Sequence, residues 1–281
     1  MSMKELTSID VTSFTVISTG VATLIALLLA IILDVVILLS VPNSASILIF
    51  FTTTIVFGTL VCNIFLSFSE GYLYNVFSKK LKCISLDIDE SGYIKKISPA
   101  GTALISGAIT FSILVIVYFA FVLIIPSLLS TIASIFYYTG NQAMFSLFYT
   151  LIIMVSNPLT VLIGIIAITI IVLLLALIAT YIYNILANSD RGIIVNISKE
   201  EKYFAVDKIE YGNFAISIAT IMLVINIIIG IMSIITGSQI FSTLISILIG
   251  FVVSLIEALI IAAFYNYLAP KIGKFRFELD E

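Results

Sequence analysis

The sequence predicts a helical membrane protein: six transmembrane helices in a pseudo-threefold arrangement, carrying a small cytoplasmic β ring of about six short strands. Three observations predict it: an apolar composition, basic residues confined to one side of six apolar stretches, and a threefold self-similarity along the chain. Of the 281 residues, 61% are apolar and 10% charged, against roughly 45–50% and about 25% in an ordinary soluble domain. A water-soluble fold has too little polar surface available here to cover itself, whereas a bilayer demands apolar surface.

About 20 apolar residues cross the ~30 Å hydrocarbon layer as a helix. Six stretches meet that test: 14–39, 47–77, 102–125, 159–186, 214–235 and 240–268. Helices are expected because lipid offers no partner for an unpaired backbone group. The first stretch is far longer than the ~7–15 residues of a cleavable signal core, so it is expected to remain as a span.

All 13 Lys and Arg fall at the N-terminus (Lys4), in the second link (Lys79 to Lys96), in the fourth link (Arg191 to Lys208) and in the tail (Lys271, Lys274, Arg276). With six spans these four places share one side. The three opposite links carry no charge, so the positive-inside rule places both termini in the cytoplasm, in the cytoplasmic membrane of a prokaryote. Thirteen of the 16 carboxylates join the bases, leaving Asp34, Glu70 and Glu257 inside spans. The resulting neutral face excludes a polybasic lipid patch and a nucleic-acid groove, and the expected partners are the lipid bilayer and a cytoplasmic protein.

Three times a helix ends in Tyr-Asn and is followed by a period-2 strand: YNVFSKKLKCISLDI from Tyr74, YNILANSDRGIIVNI from Tyr183 and YNYLAPKIGKFRFEL from Tyr265. Ile84, Leu86 and Ile88 share one face, as do Ile193, Val195 and Ile197, and Phe275, Phe277 and Leu279. Each helix pair is also preceded by apolar residues spaced i, i+3: Leu6 and Ile9, Ile94 and Ile97, Val206 and Ile209. The repeated unit is strand, helix, helix, strand, over 1–90, 91–200 and 201–281. Each unit crosses twice, so successive units keep one orientation, as a threefold axis along the membrane normal requires. Turns at Asp89 to Gly92 and Ser198 to Lys202 predict hairpins, and the tail strand is expected to pair with the N-terminal strand and close the ring.

Seven and three residues before each Tyr the side chains are small: Ser67 and Gly71, Ala176 and Thr180, Ala258 and Ala262. Asn75, Asn184 and Asn266 continue the same helical stripe. The expectation is a helix-packing seam closed by an amide hydrogen bond, with an Asn ring that binds an ion or ligand as the rival reading. The tyrosines are expected to anchor the helices at the membrane interface.

These lead-ins and exits resemble a bacterial transmembrane family of unknown function, best known from actinobacteria, with two helices, a lead-in similar to IDPxS and an exit similar to YNxxxxxxGGIxVxL. SIDVTSF at Ser8 matches the lead-in with Val11 in place of Pro, and KISPAGT at Lys96 and KIEYGNF at Lys208 are weaker versions. Cys83 replaces glycine in the first exit, and single glycines, Gly192 and Gly273, stand in the others. The resemblance implies three fused copies over nearly the whole chain, and it implies no activity.

The candidate intramembrane polar site is Asp34, Glu70, Glu257 and Asn63, because ionisable groups in hydrocarbon cost ~2.5–3.5 kcal/mol each on insertion scales. Asp34 is read as solvated near the outer end of its span, or met by Asn43. Glu70 is read as an ion pair with Lys79 or Lys80. Glu257 has no base in its span and is read as a neutral acid bonded to Ser254 or Asn63. Alternatively, Glu70 and Glu257 face each other across the threefold axis as a proton-carrying pair.

Between Pro126 and Pro158 lie 31 uncharged residues rich in Phe and Tyr, broken at Gly140 and Asn141. They predict an insertion over 127–156 of two short helices, lying in the outer interface or dipping in as a re-entrant hairpin.

No His and no Trp are present, and the two Cys lie on different segments as unpaired thiols, so histidine catalysis, haem and closed zinc sites are excluded and no cofactor is expected. An aspartyl intramembrane protease needs two embedded aspartates, and a rhomboid-type serine protease needs a His. The expectation is a non-enzymatic scaffold presenting the ring to a partner, with a small ion or proton channel or carrier using Glu257 and Glu70 as the alternative.

Overall fold

Strands form where apolar residues alternate, and helices where apolar runs continue unbroken. The computed structural model describes residues 3–40, 45–122, 124–200 and 202–280. In chain order the elements are β1 (Lys4–Ile9), α1 (Val11–Ser40), α2 (Ala45–Ser78), β2 (Ile84–Ile88), β3 (Ile94–Ile97), α3 (Pro99–Phe121), α4 (Ile124–Tyr138), α5 (Gln142–Ser156), α6 (Pro158–Ala187), β4 (Val195–Glu200), β5 (Tyr203–Ile209), α7 (Tyr211–Ile235), α8 (Ile240–Ile272) and β6 (Phe275–Leu279). Six of the helices are long and apolar enough to cross a membrane. They begin up to three residues before the apolar runs, because polar residues serve as caps. Asp10 accepts a hydrogen bond from the Thr12 N–H (3.1 Å), and Glu210 accepts one from the Asn213 N–H (2.8 Å). A carboxylate there also opposes the positive end of the helix dipole.

The chain divides into two compact units, 1–105 with 175–281, and 106–174. The first contains a six-stranded sheet in the order β3-β2-β1-β6-β5-β4. Every pairing is antiparallel. The hairpins β2–β3 and β4–β5 form as the turn residues predict, and β6 pairs with β1 through Leu6 and Leu279 and through Ile9 and Phe277. At the two ends of that order, Tyr93 and Ile194 form an isolated antiparallel bridge. There the Ile94 N–H donates to the Ile193 carbonyl (3.0 Å), and the Val195 N–H donates to the Gly92 carbonyl (3.0 Å). Gly92 has φ +79°, and a Cβ at this position would lie 1.8 Å from the Val195 oxygen, so only glycine admits β4 so close. Leu6, Val195, Val206 and Phe277 are buried on one face of the sheet.

Within this unit α1 packs along α2, α7 packs along α8, and α1 also meets α8. Gly20 permits the last contact, since a Cβ there would lie 2.8 Å from Ile272 Cδ1. The end of α6 is held by Tyr183 and Ala187 against Ile221 and Ile225 of α7. Gly107 of α3 approaches α6, where a Cβ would lie 3.5 Å from Leu173 Cβ. The large side chains outside these contacts are exposed aliphatic and aromatic groups, such as Leu39, Phe50, Ile163, Ile229 and Phe241, as a lipid-facing surface requires.

The second unit holds the remainder of α3 and α6 and the insertion, whose two 15-residue helices form a hairpin. At ~22 Å each, they are shorter than the hydrocarbon layer. Phe136 stacks on Phe148 with centroids 5.4 Å apart, and Tyr137 meets Phe145 at 5.5 Å. Gly140 takes φ +76° at the turn, and Asn141 caps α5 by accepting from the Met144 N–H (3.2 Å).

Candidate functional site

One side-chain arrangement recurs three times where the helices meet the sheet. The Ile9 N–H donates to Asn75 Oδ1 (2.7 Å) while Asn75 Nδ2 donates back to the Ile9 carbonyl (2.7 Å). Asn184 holds Ile97 in the same way (2.9 and 2.8 Å), and Asn266 holds Ile209 (2.8 and 2.8 Å). The clasped residue is the last of each leading strand, just before its helix. A primary amide alone carries a donor and an acceptor spaced to pair both groups of one residue.

The preceding tyrosine completes the clasp. The Tyr74 hydroxyl donates to the Leu6 carbonyl (2.6 Å), Tyr183 to Ile94 (2.5 Å) and Tyr265 to Val206 (2.5 Å). The Tyr183 and Tyr265 hydroxyls also accept from the N–H groups of Ile193 (3.2 Å) and Phe275 (3.3 Å), ten residues further on in the trailing segment. All three tyrosines are buried, which corrects their reading as interfacial anchors. An anchor keeps its hydroxyl in water, whereas these hydroxyls pair backbone groups at the foot of the sheet. The signal was present in the constant ten-residue step from Tyr74 to Ile84, Tyr183 to Ile193 and Tyr265 to Phe275.

Ser67, Gly71, Thr180, Ala258 and Ala262 are buried and Ala176 is half-buried. A Cβ at Gly71 would lie 3.2 Å from Phe14 Cδ1 on α1. The asparagines, however, bond to the strand-to-helix junction rather than across two helices.

The intramembrane carboxyls are not gathered into one place. Glu70 and Glu257 each precede a buried seam residue, Gly71 and Ala258, and are therefore turned ~100° away from the seam. Both are exposed. Neither makes an ion pair with a described residue, so the expected Glu70 pairing with Lys79 or Lys80 does not form, nor does a Glu257 bond to Ser254 or Asn63. An enclosed carboxyl pair would need both buried. Asn63 donates instead to the Thr59 carbonyl one turn back (3.2 Å). Asp34 Oδ2 accepts a hydrogen bond from the Thr52 hydroxyl of α2, and Asp34 Oδ1 is buried without a partner among the described residues. Asn43, proposed to meet Asp34, lies outside the described residues.

The sheet bears a cavity of about 620 Å³ at its end remote from the helices. Ile88, Ile197, Phe204 and Leu279 give it an apolar lining, bordered by Asp87, Asp89 and Glu90 and by Lys4 and Lys199. The two lysine Nζ atoms lie 5.9 and 5.7 Å from the Phe204 ring centroid. Hydrogen bonds from the Ser91 hydroxyl and the Tyr93 and Ser91 N–H groups, with Lys95 at 3.5 Å, hold the Asp89 carboxyl below the usual carboxylate range. Beside the cavity, Lys274 sits between Asp207 (2.6 Å) and Glu200 (3.0 Å), and Lys202 meets Glu278 (2.8 Å). Cys62 and Cys83 are free thiols. Burial first, then the Glu5 carboxylate, raises the Cys83 thiol. Compared with known proteins, the chain matches no family model, no curated protein sequence and no solved structure.

Proposed function

We propose that the protein is a non-enzymatic, multi-pass scaffold of a prokaryotic cytoplasmic membrane: three fused two-helix repeats whose strands close into a cytoplasmic ring that docks a protein partner. The cavity on the sheet carries this reading, because an apolar floor bordered by both signs of charge suits a protruding apolar side chain flanked by polar residues. The clasps support it as well. Six polar side chains, three Tyr and three Asn, are spent on fixing strands to helices, which gives a rigid platform rather than a moving gate. The bridge from Tyr93 to Ile194 supports closure, since it joins the two ends of the strand order. The carrier reading through Glu70 and Glu257 gains no support, because two exposed carboxyls enclose no site.

The test is a photo-crosslinking residue placed at Phe204 in living cells. A discrete protein adduct is expected, lost when Leu279→Asp puts a charge on the cavity floor and kept when the exposed, lipid-facing Val36 becomes Ala. An adduct indifferent to Leu279→Asp, or no adduct from a membrane-inserted protein, would refute docking at this cavity.

A further inference from the structure

The apolar face of the sheet ends in two lysines. Lys4 stands opposite Leu86 in the β1–β2 ladder, and Lys199 stands opposite Phe204 in the β4–β5 ladder. Residues opposite one another in a ladder share a face, so both lysines lie on the side of the sheet that carries the apolar residues. Beyond the buried Leu6, Val195, Val206 and Phe277, the cavity is floored by the half-buried Ile88, Ile197, Phe204 and Leu279. The two ammonium groups come next. Solubility requires only that a lysine face water, whereas these two converge on one aromatic ring, with Nζ atoms 5.9 and 5.7 Å from the Phe204 centroid. Lys4 makes no ion pair with a described residue, although Asp87 and Glu90, likewise without one, border the same cavity.

We propose that this cavity takes the C-terminal residue of the docked partner: an apolar last side chain against Phe204 and Leu279, its α-carboxylate at Lys4 and Lys199, and a basic residue shortly before it at Asp87 and Glu90. The proposal rests on the docking reading and specifies the partner's chemistry.

Size favours a chain end. The volume is about 620 Å³, which at roughly 30 Å³ per water-sized group is room for about 20 such groups, the bulk of about two residues. Buried side chains close the cavity toward the helices. A chain that enters must therefore stop there, whereas a helix about 10 Å across, or a strand running on, finds no exit. Charge favours it too. A residue within a chain brings only neutral amides to the level of the ammonium groups, while a terminal residue brings a carboxylate next to its side chain. Hydrogen bonds from ammonium to carboxylate are roughly twice as strong as neutral ones. Because both ammonium groups flank the Phe204 ring, a side chain resting on that ring carries its own α-carboxylate to them.

The test has two arms. The full-length protein in nanodiscs is titrated with a fluorescent pentapeptide ending in leucine, with a lysine two residues earlier, as the free acid, as the terminal amide and extended by two glycines. The free acid should bind, and the other two forms should bind about tenfold more weakly or worse, the worth of one charge-assisted hydrogen bond. Lys4→Gln should shrink the difference between acid and amide, and Leu279→Asp should weaken all three. Equal binding of acid and amide overturns the proposal, as does acetyl-leucine binding as tightly as the peptide, or a folded protein that binds none of them. In cells, the adduct formed by the photo-crosslinking residue at Phe204 is digested and mapped by mass spectrometry, and it should fall within the last few residues of the partner chain. An adduct on an internal segment defeats the chain-end proposal and leaves docking standing; no adduct defeats both.

Discussion

Asn184 meets both backbone groups of Ile97 at the foot of the sheet, where water has little access, so its removal orphans a donor and an acceptor together. A neutral hydrogen bond contributes about 0.5–1.5 kcal/mol net, and one whose loss leaves a partly buried group unpaired costs about 1–2 kcal/mol. Asn184→Ala should therefore lower the unfolding free energy by about 2–4 kcal/mol, with Asn75→Ala and Asn266→Ala similar, measured by denaturant unfolding in nanodiscs. Tyr265→Phe should cost about 1–2 kcal/mol by freeing the Val206 carbonyl, whereas Tyr72→Phe at an exposed position should change stability by less than ~0.5 kcal/mol. That Tyr and Asn matter was legible from their threefold recurrence. Their partners were not, because both side chains bond to backbone atoms of Leu6, Ile9 and their equivalents, and a backbone atom leaves no mark on residue identity.

Among the elements, the sheet is the one whose stability should follow pH. The Lys202 ammonium and the Ser8 hydroxyl hold the Glu278 carboxyl below its ordinary value of 4.5, so its contribution is complete above that value and fades as acid protonates the folded form. Lys274 has the opposite sign. Asp207 and Glu200 raise its ammonium above 10.5, so its contribution is present below 10.5 and is lost as pH climbs through the folded value. The unfolding midpoint should be flat between 4.5 and 9.0, where the Cys83 thiol, raised in the fold, begins to ionise in the unfolded chain, and should fall on both sides. Glu278→Gln should flatten the acid limb only, and Lys274→Met the alkaline limb only; unaltered limbs in circular-dichroism melts would contradict this assignment. The strands themselves were readable from alternation, as in Ile84, Leu86 and Ile88. The helices were readable from unbroken apolar runs, although the polar caps Asp10 and Glu210 lengthen them beyond what hydropathy marks.

For the whole molecule, the two ends of the strand order meet in the few contacts between Gly92, Tyr93 and Ile94 and residues Ile193 to Val195. In a Cys62→Ser, Cys83→Ser background, Tyr93→Cys with Ile194→Cys should oxidise to an intramolecular disulfide, seen as a mobility shift that reductant reverses. Gly92→Ala should abolish that disulfide and destabilise the protein by about 3 kcal/mol or more, since it meets both a left-handed backbone and the Val195 oxygen. What the sequence determined by itself is the number of spans, the segregation of charge and the hairpin partners, because these follow from local periodicity and from the cost of burying charge in lipid. Only the tertiary structure decided that Glu70 and Glu257 are exposed while their neighbours Gly71 and Ala258 are enclosed. Which side of a helix is covered depends on where its neighbour crosses it, and one residue, from Glu70 to Gly71, separates the open face from the closed one.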